Sequence, residues 1–415
     1  MAENSNNPGD VELGAITLTS SSSGQSLNII NQVVAINIWE SILTPTIYAE
    51  LVIYDPIDLL NFFPIRGEET IDLEWQTPGA ETRNYTFSVI KPSIVRTGIN
   101  DKDKQYTLRC ISQDHLKNAK VKFSKKYKDT GGNIIQNILK EQLSTSKQYQ
   151  GDDTKGTEDI LIAKMHPFQA IDLVRRRSVS DQYLSSSWCF FEDKNGYNFY
   201  TLESMMQNSR GTVGGRTYFY DASVLEDLAN ITMMNILGYK NLAFGDTVNT
   251  IFSGSFKNVT RKFDLFTKQL GSIDYNNLEK QGQFIFPDGT GNPFSSSQFE
   301  SSYNDKTPQF FMTPVDTSRT TDYRPDMIGP RQSYVQKILQ NIAQIKVYGD
   351  STLELGEIVD VRLPSVTGFT GGMSEEAKLL SGNFLVSKIR HLISLIERRV
   401  YYQSLELLKG NVRED

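Results

Sequence analysis

The clearest alternation of apolar and polar positions lies at Val347–Pro364, VYGDSTLELGEIVDVRLP. Gly349-Asp350 sets a turn, Leu353-Glu354-Leu355 runs to a second tight point at Gly356, and a regular alternation begins at Ile358. Val359, Val361 and Leu363 fall on one face and Asp360 and Arg362 on the other, the period of a half-buried strand. Near the N-terminus, Gly67-Glu68-Glu69-Thr70 leads into Ile71-Asp72-Leu73-Glu74-Trp75 with the same alternation. Alignment on Asp72 and Asp360 puts aliphatic and polar groups on matching faces. YTFSVIK (Tyr85–Lys91) and QYTLRCIS (Gln105–Ser112) follow the first copy, as NFLVSKIRH (Asn383–His391) and VYYQSLELL (Val400–Leu408) follow the second. A duplicated β-unit explains the shared order; chance likeness among generic strands is the alternative.

Strands are also expected at Ile16–Leu18, Leu27–Trp39 and Tyr48–Tyr54, and Asp55-Pro56 opens a short helix carrying Leu59, Leu60 and Phe63. Leu116–Lys128 is basic, with six lysines interleaved with Val121, Phe123 and Tyr127. It reads as an edge strand guarded by lysines, with a nucleic-acid surface as the alternative. Asn133–Leu143 and Pro167–Ser178 have helical apolar spacing, and Arg175–Arg177 suit the negative end of the second helix. In Trp188–Glu203, WCFFEDKNGYNFYTLE, two aromatic-rich strands flank Asn195-Gly196, whose positive φ angles suit a tight hairpin turn.

The β character returns from Ile231 to Tyr275. Asn276–Pro330 is then a polar Gly/Ser/Asn/Gln/Pro segment whose aromatics follow no period. Long structureless loops are uncommon in compact domains, and disorder seldom carries so many aromatics. The segment reads as an arm laid over another subunit or partner, with Phe294, Tyr303, Phe310, Phe311 and Tyr323 as contact residues. Its scarcity of core aliphatics predicts that its deletion leaves both β-units folded. A helix is expected at Arg331–Ile342 and a strand at Gln344–Tyr348. The fold class is therefore α+β, mainly β. The first β-unit spans 1–115, an inserted α+β domain 116–225, the second β-unit 226–275 and 340–415, and the arm with a short helix 276–339.

At 415 residues the chain is long enough for two to four domains. A net charge of −6 argues against a protein whose main task is gripping nucleic acid. Cys110 and Cys189 sit in apolar strand patterns and read as buried thiols. The N-terminus has no secretory signal pattern, and no run of about 18 apolar residues predicts a membrane-spanning helix. His115, His166 and His391 share no metal or triad spacing. Gly211–Gly215 and Asp288–Asn292 lack the strand–helix context of phosphate loops and read as turns. The acidic groups at Gly151–Asp153 and Glu158-Asp159 lack the twelve-residue ligand ladder of a calcium loop. No cofactor, metal site or catalytic residue is expected, although a pair of hydrolytic carboxylates need not be adjacent in sequence.

The order of pieces resembles the baseplate hub proteins of contractile-tailed phages, with their relatives in the late control protein D family and bacterial injection systems. The resemblance rests on WCFFEDKNGYNFYTLE, on IKVYGDSTLELGEIVDVRLP, and on LSGNFLVSKIRHLI with the following VYYQSLEL; with the repeated units it covers most of the chain. It implies two related tube-type β-barrel domains per subunit and a homotrimer presenting six similar units. Such a ring joins a threefold central spike to a sixfold tail tube or tube initiator, with neighbouring baseplate wedge proteins as further partners. Genome DNA passes through its channel without specific binding, and three copies at −6 carry about −18, a balance that repels phosphate. The implied protein is structural, is assembled in the host cytoplasm and resides in the virion tail baseplate. The alternatives are the hub of a bacterial injection system, a tail-associated cell-wall glycan hydrolase and a carbohydrate-binding β-protein.

Overall fold

The computed structural model describes residues 7–63, 65–97, 104–183, 185–208, 210, 215–220, 232–264, 266–276, 284–287, 289–290, 309–315, 323–364, 377, 380–396 and 398–410. The first β-unit contributes β1 (Val33–Ser41), β2 (Tyr48–Asp55), β3 (Thr70–Gln76), β4 (Arg83–Thr97) and β5 (Lys104–Ser112). The inserted region follows with α1 (Gly131–Gln142), α2 (Pro167–Arg177), β6 (Trp188–Asp193) and β7 (Gly196–Thr201). The second β-unit begins with β8 (Gly238–Phe244), then breaks for β9 (Lys257–Asp264), β10 (Leu270–Asn276), β11 (Gln309–Val315) and α3 (Arg324–Ile338). It resumes with β12 (Asn341–Tyr348), β13 (Ile358–Arg362), β14 (Gly382–Ser394) and β15 (Val400–Leu408).

The two β-units have the same antiparallel order. In the first it is β3-β4-β5-β2-β1, and in the second β13-β14-β15-β12-β8. The register matches as well. Ile71 stands opposite Phe87 on β4, as Val359 stands opposite Phe384 on β14. Val89 stands opposite Cys110, as Val386 stands opposite Leu407, and an irregularity follows at the same point, before Lys91 and Lys388. Alternation on each strand requires one fixed register wherever one face is buried, so the shared apolar pattern dictates the shared pairing.

The turn before each Asp strand repeats to the level of single hydrogen bonds. Glu68 and Gly356 both take a left-handed backbone, at φ 71° and 77°. Val89 N–H donates to the Glu69 carbonyl and accepts at its own carbonyl from Glu68 N–H; Val386 does the same with Glu357 and Gly356. The buried carboxylate of Glu69 accepts from Arg66 N–H at 3.0 Å, and that of Glu357 from Glu354 N–H at 3.2 Å. The slot of Gly356 is thus filled in the first unit by Glu68, and Gly67 lies one residue earlier. Gly349 meets a different demand: a Cβ there would overlap the Tyr401 ring.

Among the described residues neither unit closes into a barrel on its own. They join edge to edge through β14 and β1, inside one 14-stranded sheet. Three clusters of buried side chains centre on the first unit, the inserted region and the second unit, with Ile393 and Tyr401 reaching into the first and Cys189, Phe191 and Leu202 into the last. The inserted core joins Ile134, Ile135, Ile138 and Leu139 of α1 to Ile171 and Val174 of α2 and to the hairpin aromatics. In that hairpin Asp193 pairs with Gly196, and positive φ occurs at Gly196 but not at Asn195. The Asp193 carboxylate takes over the turn, accepting from Asn195 and Gly196 N–H at 2.8 and 3.1 Å.

The basic stretch after residue 115 divides. Gln113–Lys120 is a helix, and only Phe123–Asp129 is a strand, paired with Glu158–Met165. Lys125 and Lys126 are bound there by Glu141 and Asp159, at 2.6 and 3.0 Å. The expected helix at Arg331–Ile342 runs instead over Arg324–Ile338, with Pro325 in its first turn and Pro330 inside it.

Most of the expected arm at Asn276–Pro330 lies outside the described residues, and the described part of it packs against this chain. Phe284 and Phe286 are buried with Tyr334 and Ile338 in the core of the second unit, and β11 pairs in parallel with β9. Deleting Asn276–Pro330 would remove both rings from that core, so the deletion expected above to leave both units folded should instead destabilise the second unit.

Candidate functional site

The region with the most unusual chemistry is the seam between the two units. Along it β14 pairs with β1 from Lys388 opposite Ser41 to Ser394 opposite Ala35. Beneath it Glu40, Arg83 and His391 are all buried. Arg83 Nη1 donates to Glu40 Oε1 at 3.0 Å, while its Nε donates to the Ser351 carbonyl at 2.6 Å and Nη2 to that of Leu353. The guanidinium of the first unit thereby ties down the turn that opens the second. Ser351 and Thr77 reinforce this, each hydroxyl accepting from the other's backbone N–H, at 3.1 Å for Ser351 and 2.9 Å for Thr77. Tyr85 OH donates to the same Glu40 oxygen.

From the second unit, His391 Nε2 lies 3.5 Å from Glu40 Oε2 and its Nδ1 lies 2.6 Å from Tyr401 OH. Gln403 donates to Tyr401 OH at 2.9 Å and to the Asp350 carbonyl at 2.8 Å. Burial alone would raise the Glu40 carboxyl, but the Arg83 charge and His391 outweigh it and hold it at about 2. Burial pushes the His391 imidazole below its ordinary value, against the pull of Glu40. The cluster is an anion–cation pair with a neutral imidazole, fully desolvated. Such a group costs more to break than it returns when formed, so it enforces one relative position of the units.

Above the seam lies the polar face of the sheet. Strand pairings place Lys240, Gln344, Glu406, Lys388 and Ser41 in one row, and Lys346, Ser404, Arg390, Trp39 and Tyr48 in the next. A third row runs Tyr402, Leu392, Asn37, Glu50, Arg109 and Lys91. Glu406 binds Lys388 at 2.8 Å and Glu50 binds Arg109 at 3.2 Å. Arg390 lies over Trp39 and Lys346 over Tyr402, at 5.3 and 4.4 Å from the ring centres. This face carries more cations than carboxylates although the chain totals −6. The acidic wall expected from net charge therefore does not belong to it.

Other polar groups are held structurally. His115 Nδ1 lies 3.0 Å from Thr46 Oγ1, and His166 Nδ1 reaches the carbonyls of Asn118 and Val121 at 2.9 and 2.8 Å. Arg175 donates to the Trp188 carbonyl at 2.8 Å, and Arg177 pairs with Glu158 at 3.0 Å. Both cysteines are buried and burial raises both thiols. Among the described residues no three His, Cys, Asp or Glu side chains are grouped to hold a metal ion. No helix among them is long and apolar enough to cross a membrane.

Of the expected contact residues, Phe294 and Tyr303 lie outside the described residues. Phe310 and Phe311 are in β11, opposite Val259 and Thr260. Tyr323 lies under the Lys155 ammonium at 4.7 Å, turned toward the inserted region of its own chain. Sequence reasoning missed Glu40, Arg83 and His391 as a group. A polar residue, Glu40, Arg83 or His391, in each of three otherwise apolar strand faces was the available signal.

No family model and no curated protein matches the sequence. Solved structures do share the fold. The 43 kDa tail protein of prophage MuSo2 from Shewanella oneidensis is similar at a TM-score of 0.57 and 10% identity, over 95% of this chain and 98% of that one. The tail protein from Neisseria meningitidis MC58 is similar at 0.55 and 10%, over 95% and 96%. At such identities the likeness is one of fold.

Proposed function

We propose that this chain is a structural hub of a contractile tail baseplate, without catalytic residues, acting as a homotrimeric ring. Three chains then present six equivalent β-units toward a sixfold tail tube or tube initiator and keep threefold symmetry toward a central spike. The observation that carries this reading is the internal repeat, matched in strand order, register and turn hydrogen bonds, with its two copies placed side by side in one sheet. A repeat related in this way turns each subunit into two of six positions around an axis. The fold shared with prophage tail proteins over nearly the whole chain supports the same assignment.

In this reading the seam cluster keeps the two units at a fixed angle, which a ring requires if it is to close. DNA moves through the ring without sequence-specific contacts, and the virion tail is its location. Phe294, Tyr303, Phe310, Phe311 and Tyr323 remain the proposed contacts to neighbouring chains. Light scattering on the purified chain tests the assignment. Three times the chain mass is expected, with six-lobed rings in electron micrographs and no clearing of peptidoglycan suspensions. A chain that stays monomeric at high concentration, or one that clears the suspension, overturns it.

A further inference from the structure

The end of the β9–β10 hairpin carries an apolar group that the fold does not cover. Phe266, in the turn, is the most exposed large apolar residue among those described, at 81%. Leu270 is 66% and Phe263 37% exposed, and the two stand directly opposite each other, which puts both side chains on one face of the hairpin. The base of the same hairpin is anchored. Asn258, Val259 and Thr260 are buried, Asn258 Nδ2 donates to the Gly329 carbonyl of α3 at 3.3 Å, and Ser255 Oγ donates to that of Ser333 at 3.3 Å. From Thr260 to Asp264 the strand runs on for about 13 Å with Arg261, Lys262 and Phe263 exposed. β11 borders it as far as Val315, opposite Asp264.

The tip is built, not frayed. Asp264 N–H donates to the Gln269 carbonyl at 3.0 Å. The Asp264 carboxylate accepts from Phe266 and Thr267 N–H at 2.8 and 3.2 Å and from the Thr267 hydroxyl at 2.6 Å. That carboxylate is the only one between Arg261 and Leu270, and it is spent on the turn, whereas the same ten residues hold three cations, Arg261, Lys262 and Lys268. Lys262 lies opposite Gly271, where a Cβ would come within 2.9 Å of its Cε, so the glycine makes room for the lysine stem. Among the described residues no carboxylate pairs with Lys262 or Lys268.

We propose that this tip docks on the surface of an anionic lipid bilayer, Phe263, Phe266 and Leu270 entering the headgroup boundary while Lys262 and Lys268 stay among the phosphates. Binding at such a boundary scales with the apolar area buried plus attraction to anionic headgroups, and the hairpin end offers both. Lysine stems reach along apolar surface with the ammonium kept in water, so the cations need not oppose entry of the rings. A protein pocket fits less well. Three side chains on a narrow convex tip fall far short of the roughly 800 Å² per partner of a stable interface, and lysine is depleted at such interfaces. A bilayer asks for no complementary shape. The inference goes beyond the hub reading and does not depend on it, since a chain that scatters as a monomer carries the same tip.

The test is sedimentation of the full chain with vesicles of phosphatidylcholine alone and of equal parts phosphatidylcholine and phosphatidylglycerol. The chain should pellet with the anionic vesicles about tenfold more strongly than with the neutral ones, less so as salt is raised. Phe266→Ser with Leu270→Ser should weaken binding to both vesicles about tenfold or more. Lys262→Ser with Lys268→Ser should remove the preference for the anionic ones. All four side chains are exposed, so both variants should melt with the parent chain. Phe266→Trp should shift its fluorescence to the blue on adding anionic vesicles. A chain that pellets with neither vesicle overturns the proposal, as does pelleting that survives loss of Phe266 and Leu270. Tip variants that lose a protein partner while vesicle binding is absent from the parent assign the tip to a protein pocket and overturn it too.

Discussion

The first and second β-units use one frame and differ in what is hung on it. In the first, β1 and β2 are joined by residues 42–47; in the second, the equivalent connection between β8 and β12 runs through 245–340 and carries β9, β10, β11 and α3. The outer side of β3 is covered by the short N-terminal strand Thr17–Thr19, whereas β13 is covered by the parallel strand Arg216–Phe219. Such additions are tolerated because the entropic cost of closing a loop grows only slowly with its length. What does not vary is the strand order, the irregularity before Lys91 and Lys388, and the carboxylate that caps the turn. Conserving these while the periphery diverges is what a repeat must do if each copy is to occupy an equivalent place in a larger assembly.

The comparison breaks most severely at the seam, because the buried charges are contributed unequally by the two units. Arg83→Met leaves the Glu40 carboxylate buried without its partner and should cost about 3–5 kcal/mol in chemical denaturation. Adding Glu40→Gln should recover much of the loss. A loss under 1 kcal/mol would mean that the units are held together by strand pairing alone.

The capping carboxylates come next. Glu69→Ala and Glu357→Ala should each cost about 1–2 kcal/mol, since each leaves part-buried turn N–H donors, two at Glu69 and one at Glu357, without their acceptor. Glu357 also binds Arg216 at 2.9 Å, so its loss should be the larger of the two. The reverse ranking would show that the turns are not equivalent.

The left-handed slot is a finer probe. Gly356→Ala should cost about 1–2 kcal/mol, because an L-residue is strained there and its Cβ would press on Met205. Glu68→Gly at the matching position should change stability by about 0.5 kcal/mol or less, relief of strain offsetting the extra freedom of the unfolded chain.

The pH response is the gentlest test. Both His391 and Glu40 have depressed values in the folded state, so each contributes stability above its unfolded value and loses it under acid. The melting temperature should begin to fall below about pH 6.5 as the unfolded chain takes up a proton at His391, and fall further from pH 4.5 toward about 2 through Glu40. His391→Gln should flatten the first slope and leave the second. An unchanged slope between pH 7 and 5 would remove the imidazole from the account.

Much of the frame was legible in the sequence. Alternation around Asp72 and Asp360 fixed which residues face the core, and that in turn fixed the register of β3 with β4 and of β13 with β14. The hairpin at Asp193–Gly196 was equally plain, although the turn depends on an aspartate side chain rather than on Asn195. Helical spacing located α1 and α2 to within a residue or two. The polar segment after Asn276 misled, because Phe284 and Phe286 carry no period in a stretch that meets the core only at isolated points.

The local period of apolar residues, then, was decided by the sequence itself: burial on one face demands it whatever the rest of the chain does. The meeting of Glu40, Arg83 and His391 and the joining of β14 to β1 were decided only by tertiary structure. They bring together residues up to about 360 positions apart, and no pattern short of the folded sheet records which edge lies beside which.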